Sequence, residues 1–431
     1  MKKLVYFLLV IVMTGLVACD ENLSETVTYR INEPVFMNLD DFRNSVKVKS
    51  EVHELTGYGK ICYYNGYLFM SEPGKGIHII NNQDPAHPQI VGYIELLGNA
   101  DLSIRNNLLY ADSYIDLVWF DVTNPAQPQL AGRLENVFPE AIPLIENGLG
   151  VDYMMSYGAE RQDKVIVGWK EAERTESVKG YNDGGFFWRW FGGDGVNVAE
   201  KQYDASLGGN SVNGSMSRFT IYQNYLYVVL NNQMSVFDLS KTQPEKAIDN
   251  IYVGWNVETI FSYKNYMYMG TPTGLLIYSV EKPLEPKHLS SIQHVFGCDP
   301  VVVEDDIAYV TIHSGNNCGQ DRNDLIIIDV KDPTKPKQLV AYGMTKPMGL
   351  GIDNKTLFVC DDGLKVYNAA NPLTIMANEL AHYEGMEGYD VIPFNKVLMM
   401  IAEDGIYQYD YSDIQNIIPL SFMPVANDTI K

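Results

Sequence analysis

Apolar and polar positions alternate along this chain in short runs, broken by clusters of turn-forming residues. The whole arrangement recurs with a period of roughly 42 residues. Each copy reads as an apolar strand, an Asn-Gly-like turn, an aromatic-rich strand, a Gly turn, an apolar strand and then Asp/Asn-Pro-x-x-Pro. Residues 60–90 carry it as KICYYNGYLFMSEPGKGIHIINNQDPAHPQI, and residues 101–130 as DLSIRNNLLYADSYIDLVWFDVTNPAQPQL. Residues 325–339 give LIIIDVKDPTKPKQL. Asn65-Gly66 and Asn147-Gly148 suit type I′ hairpins, which need positive φ. Asp362-Gly363 and Asp404-Gly405 mark second turns. Asp84-Pro85, Asn124-Pro125, Asp332-Pro333 and Asn371-Pro372 start third turns, where proline ends strand pairing and the Asp or Asn side chain closes an Asx-turn.

Second strands centre near Leu68, Leu109, Tyr153, Leu226, Met267, Ala308, Leu357 and Leu398. The interval from Tyr153 to Leu226 is wider than the others by about 30 residues, which points to an insertion. Four-stranded antiparallel modules of about 40–45 residues build β-propellers, whose radial packing protects sheet edges. The expected fold class is therefore all-β, a single β-propeller over residues 56–420. Eight four-stranded antiparallel blades are expected, or seven if the irregular third module is not a full blade. Residues 178–217 form a Gly-rich and aromatic insertion, and residues 421–431 a C-terminal tail. Within residues 19–55, TVTYRI and PVFMNL are strand-like, and one of them is a candidate to complete the final blade and close the ring.

The strings GIHIINNQDPAHP, LVWFDVTNPAQP, LIIIDVKDPTKP and GLKVYNAANP resemble the LVIVD-repeat family of propellers. MSVFDLSK and GLLIYSVEKPLEP are looser copies, and the fourth string departs most, with Lys365 and Asn368 inside the motif. The resemblance spans roughly residues 55–415 and fits large lipoproteins of Bacteroidetes. It implies a propeller and leaves activity open, because a fold does not fix a function.

The first segment is not part of that fold. Lys2 and Lys3 precede an apolar run that ends at Cys19, the layout of a secretory signal over residues 1–18. Leu16-Val17-Ala18-Cys19 resembles a bacterial lipobox, which implies acylation of Cys19 and stable anchoring through two or three chains. Asp20 and Glu21 follow, either as an acidic tether or as a surface-export signal. The expected location is the outer membrane, on its periplasmic or cell-surface face. The formal charge of −22 becomes more negative once Lys2 and Lys3 are removed. That charge argues against nucleic acid as a partner, since phosphates need Lys or Arg to neutralise them.

Apart from Cys19, four cysteines remain. Cys298 begins one strand and Cys318 lies in the polar second turn of the same module, so a Cys298–Cys318 disulfide is expected. Cys62 and Cys360 sit inside apolar strands and read as buried thiols. The seven histidines, among them His78, His294 and His313, show no metal-ligand spacing, and no cofactor is expected.

Two features carry candidate chemistry. The insertion holds Phe186, Phe187, Trp188, Arg189, Trp190 and Phe191: flat apolar faces plus a guanidinium, suited to a sugar or a protein partner, or else to plugging the channel. Acidic residues recur near the start of the innermost strand, at Asp101, Glu140, Glu258, Asp299 and Asp390, while Lys60 and Arg218 occupy the same region. Asp101, Asp299 and Asp390 are the second group of binding candidates. The leading reading is a lipid-anchored envelope scaffold that binds a protein or glycan. Its rival is a polysaccharide hydrolase or lyase using channel-mouth carboxylates, Asp101 and Asp390 foremost.

Overall fold

The computed structural model describes residues 25–50, 54–145, 147–152, 163–178, 212–213, 217–230, 232–241, 243–254, 257–271, 274–293, 300–313 and 322–426. Seven four-stranded antiparallel blades form the propeller. They cover residues 61–95, 102–134, 219–252, 259–293, 301–343, 350–383 and 388–424, numbered here as blades 1 to 7. Each is a meander running from the channel outward. The count is the smaller of the two expected, because the third module is not a blade. Its strand Lys164–Val178 pairs instead with Glu25–Asn38 in a two-stranded ribbon. The fourth strand of blade 7, Ile418–Pro424, runs into the segment expected as tail.

Local chemistry explains the blades. The turns Asn65-Gly66, Asn106-Asn107, Asp305-Asp306, Asn354-Lys355 and Asn395-Lys396 all hold both central residues at positive φ, as the tight hairpin between first and second strands requires. Asn147-Gly148, expected as another such hairpin, lies in a loop outside the blades. The recurring acid or amide at the end of the third strand also has a physical role. Asn81, Asp121, Asp238, Asp329, Asn368 and Asp410 each accept a hydrogen bond from the backbone N–H two residues on, at 2.7–3.1 Å. Each side chain thus starts the turn that sends the chain to the outermost strand.

The propeller is held by seven apolar clusters, one at each interface between neighbouring blades. The cluster where the ring closes joins Ile61, Leu68, Met70 and Ile80 of blade 1 to Ile392, Met399, Ile401 and Ile406 of blade 7. Full burial of each such side chain contributes about 1.5–3 kcal/mol. Among the described residues no strand is exchanged across this seam: the four blade strands on each side are consecutive in sequence. The N-terminal strand Glu25–Asn38 lies in the ribbon, and Lys47–Lys49 adds to the outer edge of blade 1. A polar clasp reinforces the seam. Asn82 and Gln408, both buried, exchange side-chain amide hydrogen bonds at 2.8 and 2.7 Å. Nearby, Ser421 donates to the Pro85 carbonyl at 2.6 Å.

Residues 25–50 return over the second blade. Phe42, on the short helix Leu39–Asn44, packs with Tyr114, Ile115 and Val165. Buried Asp116 accepts from Arg43 at 3.0 Å, Arg133 at 2.8 Å and the Asn136 N–H at 2.8 Å, and so ties the helix to blade 2. Among the described residues no helix is long and apolar enough to cross a membrane.

Replacing Asn82 with Ala leaves the buried Gln408 Oε1 without its donor and Nε2 with Ser421 alone, at a cost of about 1–3 kcal/mol. The denaturant midpoint of Asn82→Ala should therefore fall. In an Asn82→Ala/Gln408→Ala double-mutant cycle the two losses should be clearly less than additive, and additive losses would show that the clasp does not join the seam.

Candidate functional site

Strand register defines one equivalent position at the start of the innermost strand of every blade. It is occupied by Lys60, Asp101, Arg218, Thr259, Pro300, Gly349 and Asp390 in blades 1 to 7. All seven are buried. Read around the ring from blade 7 through blades 1, 2 and 3, the order is Asp390, Lys60, Asp101, Arg218. Four consecutive blades thus present alternating charge, and the other three present small or neutral residues. Asp101 and Asp390 share a register position, as the sequence indicated, and the two cations fall between the acids. Glu140 is exposed and Glu258 half-buried, and neither occupies this position.

Hydrogen bonds fix the acids. The Asp101 carboxylate accepts from Ser217 Oγ at 3.0 and 3.1 Å, the Arg218 N–H at 2.9 Å and the Leu102 N–H at 2.9 Å, linking blade 2 to blade 3. Asp390 accepts from the Val391 N–H at 2.9 Å. Gly349 makes room for it, since a Cβ there would lie 2.4 Å from Asp390 Oδ1. Beneath Asp101, Asp112 accepts from the N–H groups of Ala100 and Asp101 at 2.7 and 2.9 Å and from Asn99 at 3.1 Å. Burial drives Lys60 well below the usual lysine range, opposed by the attraction of Asp101 first and of Asp390 and Asp112 after it. Burial raises Asp101, against the attraction of Lys60. Burial also raises Asp112 to about 6, partly offset by its backbone hydrogen bonds.

The channel beside this ring contains protein. Val212–Asn213 pairs with Tyr63 and Cys62, on the channel side of the first blade's innermost strand. Val212–Asn213 therefore lies in the channel, a few residues before the chain enters blade 3 at Ser217 and Arg218.

The second candidate is a cleft of about 370 Å³ between the ribbon, the loop around Pro143–Ile145 and the turn at Pro73–Lys75 of blade 1. Trp169, half-buried, fixes one wall by donating from Nε1 to the Pro143 carbonyl at 3.0 Å. Tyr114 has φ 44°, an outlier for an aromatic residue, and its hydroxyl donates to the Val167 carbonyl at 3.2 Å. A register shift opposite Val35–Phe36 leaves Val167 as an extra residue, which bends the ribbon there. Asn32 and Asn147 exchange amide hydrogen bonds at 2.8 and 3.0 Å. Lys75 donates to Glu72 at 2.8 Å, and Glu171 pairs with Arg30 at 2.5 Å.

The structure brings Asp101 and Asp390 into one internal network with Lys60 and Arg218. Cys19, Asp299, the Cys298–Cys318 pair, His294 and Phe186, Phe187, Trp188, Arg189 and Trp190 lie outside the described residues. Cys62 and Cys360 are buried thiols, as expected, and burial pushes the Cys360 thiol up. His78 is buried in its strand beside Glu72 at 3.1 Å, and burial pushes the buried His313 imidazole down to about 4. The cleft was not visible from sequence. Its aromatic wall comes from KVIVGWKEAE, which alternates like any strand and names neither its partner nor its exposed face.

The chain carries LVIVD repeats, matched over residues 98–135, 213–244 and 318–342. No curated protein matches it. Among solved structures, a protein from Lactobacillus plantarum is 9% identical, with 86% of this chain and 97% of that one covered and a TM-score of 0.53. The periplasmic gluconolactonase PpgL of Pseudomonas aeruginosa is 9% identical over 85% and 97%, with a TM-score of 0.49. The computationally designed protein Ika8 is 10% identical over 88% and 91%, also with a TM-score of 0.49. The first of these likenesses supports the propeller fold and nothing further.

Two outcomes follow from the charge network. Lys60→Met removes the cation that attracts both Asp101 and Asp390 and should cost about 3–5 kcal/mol, read as a lowered denaturation midpoint. A Lys60→Met/Asp101→Asn double variant should recover part of that loss. The second outcome concerns pH. Asp112 has a folded pKa of about 6 against an ordinary 3.8, so the folded state holds the proton more tightly. Its stabilisation is complete below about pH 4 and is lost as pH rises through about 6, a change of about 3 kcal/mol. Asp112→Asn should remove that slope, and unfolding curves at pH 4, 5, 6 and 7 would detect a slope that persists.

Proposed function

We propose that this protein is a lipid-anchored binding module of the bacterial envelope, which holds a protein or glycan partner at the loop face of its propeller. The observation that carries the reading is the ribbon. Glu25 stands opposite Val178, so one end of the ribbon leads both to Cys19, a few residues upstream, and to the aromatic insertion downstream. An extended chain spans at most about 3.5 Å per residue, so Cys19 lies within about 21 Å of the ribbon end and Phe186 within about 28 Å. In this reading the acyl chains on Cys19 hold the disc at the outer membrane. Phe186, Phe187, Trp188, Arg189 and Trp190 then supply stacking and guanidinium contacts to the partner.

The charge ring supports binding over catalysis. Asp101 accepts from three protein groups, Ser217 Oγ and the N–H groups of Arg218 and Leu102, the first two of which join blade 2 to blade 3. A glycosidase nucleophile or base needs an oxygen directed at substrate or water. Asp390 and Asp101 are both nearly inaccessible, at 2% and 1% exposure. The polysaccharide hydrolase or lyase reading therefore loses its two foremost candidates to internal structure.

Crosslinking in cells followed by pull-down should capture a specific envelope partner with the wild type and lose it when residues 180–210 are deleted. Cys19→Ser should move the protein from the membrane fraction to the soluble one. Retention of the same partner by the deletion variant would place the contact elsewhere on the loop face. Capture of no partner by either form would overturn the scaffold reading.

A further inference from the structure

We propose that the cleft between the ribbon and blade 1 is a saccharide site that takes a short stretch of neutral glycan. The proposal rests on the reading of this chain as a binding module and concerns a different surface from the insertion.

The size fits: about 370 Å³ is at the lower end of the range for small-molecule sites. The wall chemistry is that of a sugar site. Trp169 offers a half-buried indole, held in place by its Nε1 bond to Pro143, for the apolar face of a sugar ring. Around it stand an ammonium, a carboxylate and an exposed amide, Lys75, Glu171 and Asn147, while buried Asn32 spends its amide on Asn147 and the Leu149 carbonyl. Both charges are already matched, Lys75 by Glu72 and Glu171 by Arg30. The side chains of Lys75 and Glu171 nevertheless remain 60% and 42% exposed, so spare protons and lone pairs face solvent. Balanced charge with spare donors and acceptors suits hydroxyl groups and gives no preference to an ion.

Other occupants fit less well. A peptide strand would need the backbone edge of Glu25–Asn38 at Asn32. That edge is taken, since Asn32 N–H donates to Gly150 and its carbonyl accepts from Asp152, at 2.8 and 3.1 Å. An acyl chain would meet four polar side chains and leave their groups desolvated. Trp169 and Glu171 stand two residues apart on one strand, so both side chains lie on the face that lines the cleft.

The test uses the mature chain carrying Cys19→Ser and isothermal titration calorimetry. The probes are maltohexaose, cellohexaose, xylohexaose and chitohexaose, each at up to about 5 mM. At least one should bind saturably, with Kd on the order of 0.1 mM. Trp169→Ala, which removes the platform, should weaken that binding about tenfold or more. Trp169→Phe keeps an aromatic face and should retain it within about threefold. Thermal melts of Trp169→Ala matching wild type exclude misfolding as the cause. Failure of all four oligomers to bind, or binding unchanged in Trp169→Ala, overturns the proposal. If the envelope partner is still captured in cells while no oligomer binds, the saccharide assignment alone falls and the binding-module reading stands.

Discussion

Everything in this molecule depends on closing a ring whose first and last blades are not covalently joined and share no strand. The seam is held by an apolar interface, by the Asn82–Gln408 amide exchange, and by the attraction between Asp390 of blade 7 and Lys60 of blade 1. Lys60 also acts on Asp101 of blade 2, and Asp101 bonds to Ser217 and Arg218 at the start of blade 3. The alternating ring therefore runs across the seam and into the two blades beyond it. A buried charge is expensive, and removing any one member leaves its neighbours desolvated and unmatched.

The loop face is built on that closed disc. Asp116 gathers Arg43, Arg133 and the Asn136 N–H, and the Phe42 cluster seats the helix over blade 2. The ribbon is thereby held at a set angle, with its bulge at Val167 turned to the Tyr114 hydroxyl. A two-stranded sheet is barely stable alone in water. Here Met37 and Val165 dock at its base, and Arg30–Glu171 and Arg174–Glu33 cross its strands. The cleft exists because this ribbon leans over the turn at Gly74 without filling the gap.

Much of this was legible in the chain. The repeated strands, the Asn-Gly turn and the Asp/Asn-Pro-x-x-Pro ends are local signals, because φ preference and Asx-turn geometry involve residues only a few positions apart. So is the shared place of Asp101 and Asp390, which a constant strand length carries into a common register. The module at Tyr153 failed as a blade for the opposite reason. Its strand Lys164–Val178 alternates as any blade strand does, but its partner Glu25–Asn38 lies more than a hundred residues upstream, and pairing at that distance leaves no trace in local pattern. Turn chemistry was only half visible: Asn65-Gly66 announces its geometry, whereas Asn354-Lys355 and Asn395-Lys396 adopt it under the constraint of the hairpin.

The sequence by itself determined the blade unit, its turns, the buried thiols of Cys62 and Cys360 and the residues able to form a charged ring, because each follows from neighbours along the chain. Tertiary structure alone decided that there are seven blades. It also decided that Lys60 and Arg218 alternate with the acids over four blades, that Val212–Asn213 lies in the channel, and that Trp169 and Tyr114 line one cleft. Those outcomes depend on which distant surfaces are brought together. That choice is made by the closure of the ring, through the summed burial of seven interfaces, and by no single segment.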